Sequence, residues 1–345
     1  MSQPDPLRLG LIGAGLITEG AHLPAALASP RVRLTAIVDP VAERAEQLAE
    51  SAGIEARIAS DYASVLDDVD AVVIATPNHT HLEIAIACLE AGVSTLIEKP
   101  LARSVTEGEA IVRAEQASRG VVAVGYCTRF WESVALLQEL LTAGFFGEVR
   151  GFDYQFGAMR GWSSRSGFHL DRDAVGGGLL VTTGTHFLDR MLYWFGTPRE
   201  VSLLDDSRGG PEANALATAR FDGTLGAFEG RIRLSRTVAL QPGFAMDTTR
   251  GTVLLRDGEH ESLRFRPHEQ PGLECALTRS GGARFGGDSM YQHQLDDFVG
   301  ACLDGTTPMV PVEQGLDVVR LVEAFYTNRS PLRMDWYDSA RGVAQ

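Results

Sequence analysis

The sequence predicts an α/β chain, first a doubly wound parallel sheet and then a half built on strands with one wet face. Two observations predict this. Over residues 1–124, short Val- and Ile-rich runs alternate with helical segments, as strands buried on both faces and joined by crossover helices do. Beyond residue 150 single apolar positions alternate with polar ones, the period of a strand packed on one side only.

The elements follow in order. "LRLGLIGAG" is a first strand ending in glycines, and "RLTAIVD", "DAVVIATP", "VSTLIEKP" and "GVVAVGY" are four more. Between them, "VAERAEQLAESAG", "HLEIAIACLEAG" and "SVTEGEAIVRAEQASRG" read as helices, with Gly92 and Gly120 as stop signals for the last two. Strands linked this way make right-handed crossovers. Later, "EVRGFDYQF", "ALATARFDG" and "TLGAFEGRIRL" read as strands, with a hairpin around Asp222–Gly223. Two helices, "SMYQHQLDDFVGACLDG" and "VEQGLDVVRLVEAFYTN", are expected near the end.

Bulk properties narrow the function. The 345 residues suffice for two domains. With 31 basic and 45 acidic side chains the net charge is −14, which disfavours nucleic acid and membrane partners. It leaves room for an anionic small ligand, because a pocket carries its own Arg and Lys. Cys88, Cys127, Cys275 and Cys302 form no C-x-x-C pair, so free thiols in a reducing compartment are expected. "MSQPDPLRLG" has neither a basic nor an apolar leader region, and a cytoplasmic location is the expectation. No Cys/His cluster has metal-ligand spacing, so no metal is expected.

Chemistry gathers where the early strands end. Gly13 and Gly15, followed by Leu16 and Ile17, stand between the first strand and the next helix. A tight turn at Gly13 and an open backbone at Gly15 suit a pyrophosphate at a helix N-terminus. Thr18 replaces the third glycine of the usual G-x-G-x-x-G pattern. Asp39, 26 residues beyond Gly13 at the end of the second strand, suits the ribose hydroxyls of NAD. Arg44, a turn later, keeps NADP open. Thr76, Pro77, Asn78 and His81 follow the third strand, and Glu98 and Lys99 end the fourth, immediately before Pro100. All are candidates for cofactor contact, because ligands bind beyond the carboxyl ends of such strands.

"GAGLI", "TPNHTH" and "LIEKPLA", with "GGGLLVTTGTHFLD" and, more loosely, "YQHQLDDFVGAC", resemble the glucose–fructose oxidoreductase/inositol dehydrogenase (Gfo/Idh/MocA) family. The resemblance implies an N-terminal NAD(P)-binding Rossmann domain, placed here at 1–124. It also implies a C-terminal α+β domain, 125–345, whose large open, mostly antiparallel sheet carries the substrate site and often mediates oligomerisation. A homo-oligomer, dimer or tetramer, is therefore expected. It implies an NAD(P)-dependent oxidoreductase moving a hydride between nicotinamide and a secondary alcohol or ketone of a sugar, polyol or sugar derivative. Lys99 takes the place of the family's lysine beside the nicotinamide.

On the helix "GGGLLVTTGTHFLDRMLYWFG", Thr182, His186, Asp189 and Tyr193 fall within roughly 60° of one another at the α-helical period. The resemblance maps the family's histidine to His186 and its aspartate, four residues earlier, to Thr182. That departure removes a carboxylate but leaves a hydroxyl able to relay a proton. Lys99, His186 and Thr182 are thus the catalytic candidates. Arg129, Trp162, Arg165, His169 and Tyr291 offer donors and aromatic faces for a sugar-like substrate. An NAD-dependent glycosidase and a non-catalytic dinucleotide-binding regulator are the alternatives on the same fold.

Overall fold

The structure, a computed structural model, describes residues 5–159, 171–256, 258–287 and 289–333. These divide into two units, one of residues 5–135 and 282–320, the other of 136–159, 171–281 and 321–333.

The first unit is built on six parallel strands: β1 (Leu7–Ile12), β2 (Val32–Val38), β3 (Arg57–Ala59), β4 (Ala71–Ile74), β5 (Ser94–Ile97) and β6 (Val122–Val124). Their order, β3-β2-β1-β4-β5-β6, is that of a dinucleotide-binding Rossmann sheet, with the switch in direction between β1 and β4. Every residue of β4, β5 and β6 is buried, as the continuous apolar runs require. Helices α1 (Leu23–Ala28), α2 (Ala42–Ala52), α3 (His81–Glu90), α4 (Val105–Ala117) and α5 (Glu132–Thr142) connect or follow these strands. The Ser104 side chain accepts from the Glu107 N–H at the start of α4. That satisfies a donor with no intrahelical partner. The Gly53 backbone, with φ 64°, ends α2 in the left-handed region. Gly92 is likewise left-handed, whereas α4 ends at Ala117 before Gly120 is reached.

The first core joins Leu9, Leu11, Ile37, Val73 and Leu96 to Leu295, Phe298 and Val299. The last three lie on α8 (Met290–Asp304), so a helix from late in the chain covers part of the first sheet.

The second unit holds nine strands: β7 (Val149–Gly157), β8 (Glu200–Asp205), β9 (Asn214–Gly223), β10 (Gly226–Ser235), β11 (Leu240–Thr248), β12 (Gly251–Arg256), β13 (Leu263–Pro267), β14 (Cys275–Leu277) and β15 (Arg329–Pro331). Their order is β14-β13-β12-β11-β7-β10-β9-β8-β15. Only β7–β10 and β8–β15 pair in parallel. The hairpin joining β9 to β10 turns at Thr224–Leu225, because Gly223 and Gly226 are themselves a paired position. Its tip therefore lies just past the Asp222–Gly223 site expected from sequence.

The short α6 (Arg172–Val175) precedes a π turn, Leu180–Gly184, that runs into α7 (Thr185–Phe195). Phe187, Met191 and Trp194 on α7 are buried. They meet the aromatic face of the sheet, where Tyr154 stacks on Phe187 with centroids 3.8 Å apart and Phe152 stacks on Phe195 at 5.2 Å. The final helix, α9 (Val312–Thr327), runs from the first unit's residues into the second's. Among the described residues, no helix is long and apolar enough to cross a membrane.

Candidate functional site

In the first unit the turn after β1 is set by backbone sterics. Gly13 has φ +100° and donates its N–H to the Val38 carbonyl at 2.7 Å. A Cβ here would lie 2.7 Å from the Ala75 carbonyl oxygen, so only glycine fits. At Gly15 a Cβ would meet nothing within 4 Å. No protein neighbour demands glycine there, and the open backbone fits the approach of a pyrophosphate. Leu16 is exposed, Ile17 is half-buried, and Thr18 is buried.

Thr18, the departure from the third glycine, donates its hydroxyl to the Gly13 carbonyl and opens a π turn over Thr18–His22. Such turns recur at functional sites. Asp39 is buried and anchors the same turn. Its Oδ2 accepts from the Ala14 N–H and its Oδ1 from the Val41 N–H, both at 2.9 Å. Each carboxylate oxygen keeps a further lone pair for a ribose hydroxyl. Arg44 Nη1 stands 3.8 Å from Asp39 Oδ1.

After β4, Thr76 and Pro77 are half-buried and Asn78 is buried. The Thr76 and Thr80 hydroxyls share a 2.7 Å hydrogen bond, which pins the turn. His81 is fully buried, its Nδ1 3.0 Å from the Pro100 carbonyl and its Nε2 3.0 Å from the Thr76 carbonyl. Burial, partly offset by these carbonyls, holds its pKa below the ordinary value. His81 thus bridges the loops after β4 and β5, both ring nitrogens facing backbone carbonyls, one of them donating its N–H.

Glu98 and Lys99 leave β5 half-buried, and the Lys99–Pro100 peptide is cis. Glu98 Oε2 accepts from the Lys99 N–H at 3.1 Å, and Glu98 Oε1 lies 2.8 Å from Nε2 of buried His22. Burial pushes the Glu98 pKa up, but the His22 bond and the Lys99 charge outweigh it and leave it lowered. Burial lowers the Lys99 pKa against the opposing pull of Glu98. Tyr291 packs edge-on to His22, with centroids 5.5 Å apart. Burial and the nearby Glu98 raise Cys127 to about 12. His22 was not a candidate from sequence, since it meets Glu98 only through the fold, 76 positions away.

The second unit positions the other candidates. The segment entering α7 is capped from a distance, Glu212 Oε1 accepting from the Leu180 N–H and the Tyr326 hydroxyl, both at 2.8 Å. The Tyr326 oxygen in turn accepts from the Gly178 N–H at 3.1 Å. A Cβ on Gly178 would lie 2.3 Å from the Glu212 nitrogen, which explains that glycine. Burial raises the Glu212 pKa despite these donors.

Thr182 and His186 are both half-buried, while Asp189 is fully buried. The helical register differs from the uniform period used in the sequence projection. The hydroxyls of Thr182 and Thr185 bond the carbonyls of Gly178 and Val181, at 3.0 and 2.8 Å, beside the widened π turn. Side chains that bond into the helical ladder are a known source of such distortions. Thr182 Oγ1 also accepts from Arg236 Nη2 at 2.7 Å. The His186 carbonyl accepts from Arg190 Nε at 3.3 Å, and the Arg190 guanidinium lies 5.5 Å from the centre of the Phe187 ring.

Among the remaining candidates, Arg129 is buried in the first unit, where its Nη1 donates to Gln314 Oε1 and, at 3.4 Å, to the Met309 carbonyl. These bonds spend it on holding the chain near α9. Trp162, Arg165 and His169 lie outside the described residues. No group of three or more metal-ligating side chains occurs among the described residues. Cys88, Cys127, Cys275 and Cys302 are free thiols.

Comparison with known proteins agrees with this architecture. Residues 7–126 match the model of an oxidoreductase family with an NAD-binding Rossmann fold, and residues 134–254 match a GFO/IDH/MocA C-terminal domain. The rhizopine catabolism protein MocA of Rhizobium meliloti is 30% identical over 327 residues, 92% of this chain and 93% of that protein. Levoglucosan dehydrogenase of Pseudarthrobacter phenanthrenivorans is 35% identical over 204 residues, 55% of this chain, and the match spans 51% of that relative's length. A structure of levoglucosan dehydrogenase in complex with NADH and levoglucosan superposes with TM-score 0.82 at 22% identity, covering 94% of this chain and 97% of that one, a likeness of fold.

Proposed function

The chain belongs to the Gfo/Idh/MocA oxidoreductase family, and from that premise we propose an NAD-dependent dehydrogenase, or the reverse ketoreductase, acting on a CH–OH group of a sugar or polyol. The observation that carries this reading is Lys99. It stands at the carboxyl end of β5 in a dinucleotide-binding sheet, half-buried, with its pKa lowered by that burial. A free lysine, near ~10.4, is too basic to accept a proton at neutral pH. A desolvated one comes closer to doing so.

NAD, when bound, supplies the hydride acceptor. Gly13 and Gly15 shape the turn that would hold its pyrophosphate, and Asp39 would take its ribose. Lys99 polarises the substrate hydroxyl and exchanges its proton. Glu98, fixed by His22, orients the lysine's backbone and tunes its charge. His186 is assigned the acid or base role, which an imidazole can fill in either direction. Thr182, placed where the family has an aspartate, relays or orients rather than ionising. A sugar or polyol substrate accords with the dehydrogenase activity named for the levoglucosan relative. The exposed face of the nine-stranded sheet is the surface we assign to self-association.

The test follows reduced nicotinamide with a panel of sugars and polyols. Lys99→Ala and His186→Ala should each lower turnover about a hundredfold or more while NADH binding, followed by fluorescence, persists. Full turnover in both variants would remove these two residues from the chemistry.

A further inference from the structure

Arg236 is the first residue beyond β10, and its backbone is fixed by an N–H bond to the Ala213 carbonyl at 2.9 Å. Its guanidinium is half-buried and reaches Thr182 Oγ1 at 2.7 Å. That is the only side-chain hydrogen bond of this guanidinium among the described residues, and no carboxylate there lies within ion-pair distance of it. The acids around Ala213, the backbone partner of Arg236, are otherwise engaged. Glu212 accepts from Leu180 and Tyr326, and Asp206 accepts from the N–H groups of Ala213 and Asn214 and from the Asn214 amide.

Thr182 takes one of the guanidinium's five N–H donors, and the rest of the fork is left for an anion that meets its open side. Burial lowers the Arg236 pKa, with Glu212 opposing from a distance. The chain as a whole is strongly acidic, with a net charge of −14, so general attraction of anions does not explain a guanidinium here. It stands beside Thr182, four residues before His186 on the same helical segment.

We propose that Arg236 is a specificity residue that receives an oxyanion, a carboxylate or a phosphate, carried by the substrate. The proposal rests on the dehydrogenase reading for the site but not for the anion contact itself. A planar guanidinium binds either oxyanion through paired N–H bonds, and a neutral sugar cannot replace that charge. Thr182 holds the fork in place, which gives a physical reason for a hydroxyl where the family has an acid. A carboxylate at that position would pair with Arg236 and neutralise it.

The test gives the full chain, with NAD, a neutral hexose, its uronic acid and its phosphate ester. The expected result is an anionic-over-neutral preference in kcat/KM of about 100-fold, which collapses toward unity in Arg236→Gln mainly through KM. Whichever of the uronate and phosphate arms carries the preference identifies the oxyanion. Arg236→Lys should recover part of it. NADH binding verifies that each variant is folded, and where Arg236→Gln fails this check Arg236→Lys carries the comparison.

Equal kcat/KM in all arms, or a preference that survives loss of the guanidinium, overturns the proposal while a productive neutral arm leaves the dehydrogenase reading intact. The reverse pattern is also readable. If no arm reduces NAD, but calorimetry detects uronate or phosphate binding to the wild type and not to Arg236→Gln, the anion site stands and the dehydrogenase reading falls.

Discussion

Single residues set the protonation chemistry, and Glu98 is the one whose effect has a definite sign. Its carboxylate raises the Lys99 pKa against the lowering caused by burial. Glu98→Gln keeps an oxygen to accept from the Lys99 N–H and removes the charge. The Lys99 pKa should then fall further. In the oxidation direction the neutral amine is the proton acceptor, so activity rises as pH climbs through that pKa. The rising limb of kcat/KM should therefore move to lower pH in Glu98→Gln, as pH profiles of both proteins would measure. An unmoved limb, or one moved upward, would mean that Lys99 is not the titrating group. The bond from His22 to Glu98 was invisible in the sequence because only the fold brings positions 22 and 98 together. The Arg236–Thr182 bond, 54 positions apart, was hidden for the same reason.

Elements show where local signals suffice and where they do not. Val-, Ile- and Leu-rich stretches were enough to locate β1, β2, β4 and β5, because most of their positions, and all of those in β4 and β5, are buried. β3 escaped because it is three residues long, at the sheet's edge, and partly exposed. The two π turns escaped because hydroxyl-to-carbonyl bonds, not periodicity, accompany them. The β1–α1 turn was legible through its glycines, and its two glycines make opposite predictions. Gly13→Ala combines a left-handed φ with a clash against the Ala75 carbonyl, and should destabilise the first unit by more than about 1 kcal/mol. Gly15→Ala meets no protein atom within 4 Å. It should leave thermal stability nearly unchanged and weaken NADH binding at least about tenfold, by crowding the pyrophosphate. Thermal melts beside NADH titrations of the two variants separate these effects. Intact NADH affinity in Gly15→Ala would place the dinucleotide elsewhere.

At the scale of the whole molecule, what sequence patterns cannot convey is which distant segments join. Nothing in the composition of residues 282–320 marks them as part of the first unit. They belong there because α8 buries Leu295, Phe298 and Val299 against that sheet. The same holds for the exposed face of the second sheet, whose alternation was plain but whose charges pair only across strands. There Arg220 bridges Glu200 at 3.1 Å and Glu229 at 3.0 Å, and Arg231 meets Asp153 at 3.0 Å. Exposed pairs of this kind are largely screened by solvent, so their worth to the fold is small. Across a two-fold axis each contact occurs twice, and alternating charges of both signs are self-complementary. If this face mediates self-association, sedimentation should give a dimer or tetramer whose dissociation increases with salt. Arg231→Glu, which sets a second negative charge against Asp153, should shift the population to monomer while the melting of the chain changes little. A wild-type monomer at all concentrations, or an oligomer indifferent to both salt and the reversal, would remove this face from consideration.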